Sequence, residues 1–77
     1  MKTYVFDIDG TVCTNTFGEY KEAKPYKERI EFINNLYEEG NIIKYFTARG
    51  TTTGINWFDL TKTQLNEWGA LYHELIF

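Results

Sequence analysis

Tyr4-Val5-Phe6-Asp7-Ile8-Asp9-Gly10-Thr11 is the stretch around which the 77-residue chain is organised. It begins as an apolar run rich in β-formers, the pattern of a buried strand. It ends in two carboxylates one residue apart, followed by Gly-Thr. In an extended chain, side chains two residues apart point to the same side. If extension persists through Asp9, Asp7 and Asp9 project together from the strand end. Two like charges that close are costly unless something positive sits between them. A hard cation such as Mg2+ suits carboxylate and carbonyl oxygens. Gly10 permits a sharp turn, and its N–H is expected to stay open to an anion.

The rest of the chain supplies strand, helix and strand again. Residues 13–24 are polar, contain Gly18 and lack a helical period, which reads as a loop or small flap beside Asp7 and Asp9. Tyr20 and Lys21 in it have two readings, substrate contacts or, the favoured one, ordinary surface residues, and Cys13 reads as a loop residue with no base to activate it. Pro25 suits the first turn of a helix that runs to about Glu39. Tyr26, Ile30, Ile33 and Tyr37 form its apolar stripe, widened by Leu36, and Gly40 ends it. Ile42 to Phe46 is a second strand, so the crossover is expected to be parallel and right-handed. Thr47-Ala48-Arg49-Gly50 then follows at the same sheet edge as Asp7, where open α/β sheets bind ligands. A hydroxyl there, that of Thr47, suits a phosphoryl oxygen.

Thr51 to Gly54 reads as a loop, and Ile55 to Leu60 is apolar enough to begin a helix. A stronger start lies at Thr61. Thr61 with Gln64 fits a capping box, and Leu60 with Leu65 a hydrophobic staple. Gly69 closes this helix, and Ala70 to Phe77 reads as a third strand. Trp57, Leu60, Leu65 and Trp68 read as core. His73, the single histidine, has no partner at metal-ligand spacing and reads as structural or surface.

Composition bounds the function. Hydrophobic residues make up 43% and aromatics 18%, a globular balance in one domain spanning 1–77. A net charge of -3 gives no electrostatic argument for nucleic acid or an anionic membrane. One cysteine excludes an internal disulfide and a cysteine-based zinc cluster. The N-terminus enters a strand directly, without a signal-peptide pattern. No apolar run approaches the ~20 residues needed to cross a bilayer. A cytoplasmic protein is expected.

Asp7-Ile8-Asp9-Gly10-Thr11 resembles the first motif, DxDGT, of the haloacid dehalogenase (HAD) superfamily. Phe46-Thr47-Ala48-Arg49 resembles its second, a strand ending in Thr or Ser. With Gln64-Leu65, Trp68-Gly69 and Tyr72-His73-Glu74-Leu75, the pattern resembles a subgroup of short, nearly capless phosphatase-like proteins. These are described as capsular-polysaccharide or sugar-phosphate biosynthesis proteins. The resemblance covers essentially the whole chain but only the front of the family domain. The third-motif lysine and the paired aspartates of the fourth do not occur in these 77 residues, whose only other aspartate is Asp59.

The resemblance implies a Rossmann-like, HAD-like three-layer α/β sandwich with an incomplete parallel sheet of about three strands in the order 3-2-1. It implies Mg2+-dependent hydrolysis of a small phosphorylated substrate such as a sugar phosphate, through an aspartyl phosphate. Asp7 is then the nucleophile and Asp9 the general acid and base. Gly10, Thr11, Thr47, Ala48 and Arg49 bind phosphate, and Asp7 and Asp9 bind the metal. Arg49 is placed with two expectations: a stand-in for the family lysine, or a solvated charge. The competing expectation is a catalytically incompetent fragment that folds with or binds a partner, whether another copy or a missing C-terminal half. A signalling receiver, which also uses an acidic site at strand ends, needs a lysine at a later strand end that this chain lacks.

Overall fold

The computed structural model describes residues 1–50 and 56–77. The loop expected at 51–54, and the first residue of the apolar stretch after it, lie outside these. Three parallel strands form one sheet, β1 (Thr3–Asp7), β2 (Ile42–Phe46) and β3 (Glu74–Ile76), in the order β1-β2-β3. This is the expected 3-2-1 order. Phe6 lies opposite Tyr45, and Asp7 opposite Phe46, so both expected site segments leave the sheet at the same edge. Helices α1 (Lys27–Glu38) and α2 (Phe58–Glu67) lie in the two crossovers. The architecture is that of an incomplete Rossmann-like sandwich. Among the described residues, no helix is long and apolar enough to cross a membrane.

Strand alternation sets the two faces of the sheet. Ile43 and Tyr45 are fully buried, in one cluster with Ile8, with Ile30 and Ile33 of α1 and with Leu65 of α2. Both helices therefore cover the same face. Asn34 of α1 ties them together, donating to the Gly69 carbonyl at 2.8 Å and accepting the Leu71 N–H at 2.8 Å. The other face is bare: Val5 is 59% exposed and Phe46 44%. Lys44 and Glu74 pair across it at 3.2 Å.

The helix ends differ from expectation in instructive ways. α1 starts two residues after Pro25, because Pro25 is held in a bridge to Cys13. It stops at Gly40, whose φ of 93° suits glycine and brings its N–H to the Tyr37 carbonyl. α2 starts at Phe58, not Thr61. Asn56, one residue ahead of the Trp57 N-cap, accepts the Phe58 N–H at 2.9 Å, and Trp57 itself makes no side-chain cap. The third strand is shorter than 70–77. Residues 70–73 instead close the end of α2, with the Ala70 N–H on the Leu65 carbonyl. His73 then locks β2: its N–H donates to the Ile43 carbonyl at 2.8 Å, and its Nδ1 accepts the Ile43 N–H at 3.0 Å. Its ring stacks on Tyr37 at 4.6 Å, which is a structural role.

Candidate active site

β1 ends at Asp7, so the extended chain does not persist through Asp9 as expected. Ile8 turns inward and is fully buried, and the chain makes a tight loop back to Cys13. Asp7 remains exposed, with Oδ1 accepting the adjacent Ile8 N–H at 2.8 Å. Asp9 is half-buried and belongs to a different environment. Both still line one pocket of about 470 Å³, together with Ala48 and Arg49 from the end of β2. The flap segment 13–24 completes the lining with Asn15, Phe17, Gly18 and Tyr20. The sequence therefore brings the two carboxylates to one cavity, but not to one orientation.

Arg49 organises the Asp9 side. It is only 4% exposed, which overturns the reading of a solvated charge. Its Nη2 donates to Asp9 Oδ1 at 2.8 Å, and its Nε to Asp9 Oδ2 at 3.0 Å, a two-pronged ion pair. Nη1 turns to α2, donating to Thr61 Oγ1 at 3.0 Å and Gln64 Oε1 at 2.6 Å. The guanidinium carbon lies 4.7 Å from the Tyr20 ring centroid. Gln64 in turn donates to the Tyr20 carbonyl at 2.6 Å. Strand end, helix and flap are thus tied through one buried cation.

This network corrects several sequence readings. Thr61 and Gln64 share a helix face, as in a capping box, but that face solvates Arg49 instead of the helix terminus. Tyr20 is a half-buried wall of the site, not a surface residue. Cys13 is fully buried, with Sγ 3.6 Å from the Ile8 carbonyl oxygen. Burial, reinforced by the Asp9 charge, pushes its thiol up to about 11. A protonated, enclosed thiol is no nucleophile.

The expected phosphate ligands divide. The Gly10 N–H is not open: it donates to the Cys13 carbonyl at 2.9 Å and closes the loop. Gly10 contributes its φ of 85°, which the tight turn requires. The Thr11 N–H is bound to the Ile8 carbonyl, while Arg29 caps the Gly10 and Thr11 carbonyls at 3.1 Å each. Thr47 is 1% exposed; its hydroxyl donates to Asp9 Oδ2 at 3.3 Å and accepts the Arg49 N–H at 3.2 Å. It positions Asp9 and Arg49. Of the five expected residues, Ala48 and Arg49 face the pocket.

The pocket lining carries two carboxylates and one guanidinium. Asp9 and Arg49 offset each other, and the Asp7 carboxylate is the remaining charge on the described lining. The described donors do not complete a site for Mg2+: both Asp9 oxygens are taken by Arg49, and no group of three acidic, His or Cys residues gathers among the described residues.

No protein-family model matches the chain, and no curated protein matches it. Among solved structures, the chain is similar to a structural-genomics target from Vibrio cholerae, with a TM-score of 0.88 at 24% identity. The match covers 99% of this chain and 68% of that one. At that identity the likeness establishes the shared fold.

Proposed function

We propose that the chain is the catalytic front of a HAD-type phosphomonoesterase acting on a small phosphorylated metabolite such as a sugar phosphate, in the cytoplasm. The observation that carries this reading is Asp7. It is an exposed carboxylate at a parallel strand end, on a pocket shared with an acid and a buried arginine. Asp7 attacks phosphorus in line. The Asp7 oxygen–phosphorus bond forms as the bond to the ester oxygen breaks. Asp9, which must take up a proton from solvent as it leaves the guanidinium, gives that proton to the leaving oxygen, then takes one from the water that cleaves the aspartyl phosphate. Held by Arg49, Asp9 accepts hydrogen bonds on both oxygens, so it must part from the guanidinium to act. Arg49 is then free to face the phosphoryl oxygens where charge develops. Mg2+ is the cofactor this reading implies. Asp7 would offer it one carboxylate oxygen and it would supply positive charge there, but the described residues do not complete its coordination.

A second reading is a non-catalytic unit that binds a partner. The bare sheet face around Val5 and Phe46 favours it. Phosphatase assays with Mg2+ separate the two. Turnover that disappears in Asp7→Asn, together with the phosphoenzyme, supports the enzyme. Turnover retained in that variant rejects the HAD mechanism.

A further inference from the structure

Phe17 stands out in the flap. It is a large apolar residue, 90% exposed, on the lining of an acidic pocket. It is also the one non-glycine residue with positive φ, at 53°, among the described residues. Phenylalanine rarely adopts that conformation without local support. Asn15 supplies the support: its Oδ1 accepts the Phe17 N–H at 3.2 Å. Gly18 follows at φ 105°, and the Glu19 N–H closes the turn on the Thr16 carbonyl at 3.2 Å.

The base of the flap is tied down on both sides. The Thr14 N–H donates to the Lys24 carbonyl at 2.9 Å, and the Lys24 N–H to Thr14 Oγ1 at 3.0 Å. Tyr20 packs edge-on against Trp57 at 5.1 Å and is tethered through its carbonyl by Gln64. A fixed base with a turn that holds an aromatic ring outward is a poor way to build a core. It is a good way to present a ring to a ligand. Asn15 spends its carbonyl oxygen on the turn and keeps its NH2 group for a hydroxyl or carbonyl on that ligand.

We propose that Phe17 is a specificity-determining residue: its ring, with the Asn15 amide beside it, receives the organic part of a phosphate ester and selects cyclic groups with an apolar face over acyclic ones. This rests on the reading of the pocket as a phosphate-ester site. Arg49 and the nucleophile Asp7 at the strand ends address the phosphoryl group, and the flap ring covers the group attached to it. The shared chemistry is a ring with an apolar face, whether sugar or nucleobase.

The test uses the full chain on an Asp7→Asn background. That change stops turnover and removes the charge that opposes an anion. Titration calorimetry with Mg2+ present compares glucose phosphate, adenosine monophosphate, glycerol phosphate and inorganic phosphate. A cyclic ester is expected to bind roughly 5- to 10-fold more tightly than glycerol phosphate. Phe17→Ala should bring that ratio below about 2, and Phe17→Trp should keep it. Whether the sugar or the nucleotide carries the preference identifies the ring. If inorganic phosphate binds but the ratio is near one, or survives Phe17→Ala, the Phe17 assignment is overturned. If inorganic phosphate does not bind at all, the phosphate reading of the pocket is overturned, and the inference with it.

Discussion

The two carboxylates of the site live in opposite surroundings. Asp9 sits in a cross-linked, largely buried region with Arg49, Thr61, Gln64 and Cys13. Asp7 stands at the open end of an edge strand, beside a bare sheet face. One residue of chain separates them. The difference comes from Ile8, which is fully buried and turns the backbone so that one acid faces the network and the other the solvent. The lesson is a division of labour. Asp9 is bound up with the buried network and must leave it to act, whereas Asp7 is free from the start. Each prediction below tests one side of that division.

The largest effect is expected at Asp7. Asp7→Asn should lower turnover by at least ~10,000-fold, as removal of a nucleophile does. Its effect on stability should stay within about 0.5 kcal/mol, because the side chain is exposed and, among the described residues, bonded only to the adjacent N–H. Paired kinetics and urea melts read both. A stability loss as large as that of an Asp9 variant would erase the contrast between the two acids.

Asp9→Ala acts on the buried side. It leaves the Arg49 guanidinium enclosed with its ion-pair partner gone, a change that costs about 3–5 kcal/mol. Urea denaturation should show the loss in the midpoint. Removing Thr61 or Gln64 side chains takes neutral partners from the same cation, and each should cost less. A loss below about 1 kcal/mol for Asp9→Ala would mean that Arg49 finds water or another acceptor.

These residues also mark where the sequence stops being legible. The strands and α1 follow from local period and turn residues and the sheet order from the family resemblance, and the structure has the elements within a few positions. Asp7, Asp9, Ala48 and Arg49 are brought to one pocket, as the two strand-end segments predict. The arginine network is invisible from sequence because its partners are 12 and 15 residues from Arg49 along the chain. Thr61 and Gln64 have capping-box spacing, and the same spacing places both on one helix face. Only the tertiary fold decides whether that face meets a helix terminus or a cation. Gly10 was misread for a similar reason. Its N–H is consumed by Cys13, a partner defined by the closure of the loop.

Alkaline pH should also act on the buried side. Burial raises the Cys13 thiol from 9.0 to about 11 and the Tyr45 hydroxyl from 10.0 to about 12. Both folded values lie above the unfolded ones, so the neutral groups contribute stability that is full below about pH 9. It is lost as pH rises through about 11 and 12. At about 1.4 kcal/mol per pH unit of separation, each group accounts for on the order of 2–3 kcal/mol. The Tyr45 hydroxyl is buried with no hydrogen-bond partner among the described residues, so Tyr45→Phe should remove its share of the alkaline loss and add about 1 kcal/mol near neutrality. Denaturant midpoints from pH 7 to 12, in the parent and both Tyr45→Phe and Cys13→Ala, measure this. An unchanged alkaline slope in both variants would assign the loss elsewhere.

The smallest effect on the folded monomer, and the last test, lies on the open side. β1 is an edge of the sheet among the described residues, and Thr3 to Phe6 contains no charged residue or proline to discourage pairing. Val5 and Phe46 expose apolar surface on the face beside it. An edge of that kind can template another strand, and a second copy is expected to supply it. Association of that kind stabilises by mass action, so the melting temperature of the parent should fall on dilution. Val5→Lys places a charge where only a partner would bury it. It should change the stability of the monomer by no more than about 0.5 kcal/mol. It should, however, remove the concentration dependence and shift sedimentation to the monomer. If the parent is already monomeric, with a melting temperature independent of concentration, the edge does not recruit a second copy. The contrast between the two sides of the site would then be one of chemistry alone. If Val5→Lys destabilises the diluted monomer as strongly as Asp9→Ala, the face beside Asp7 is packed rather than open, and the division between the acids fails there.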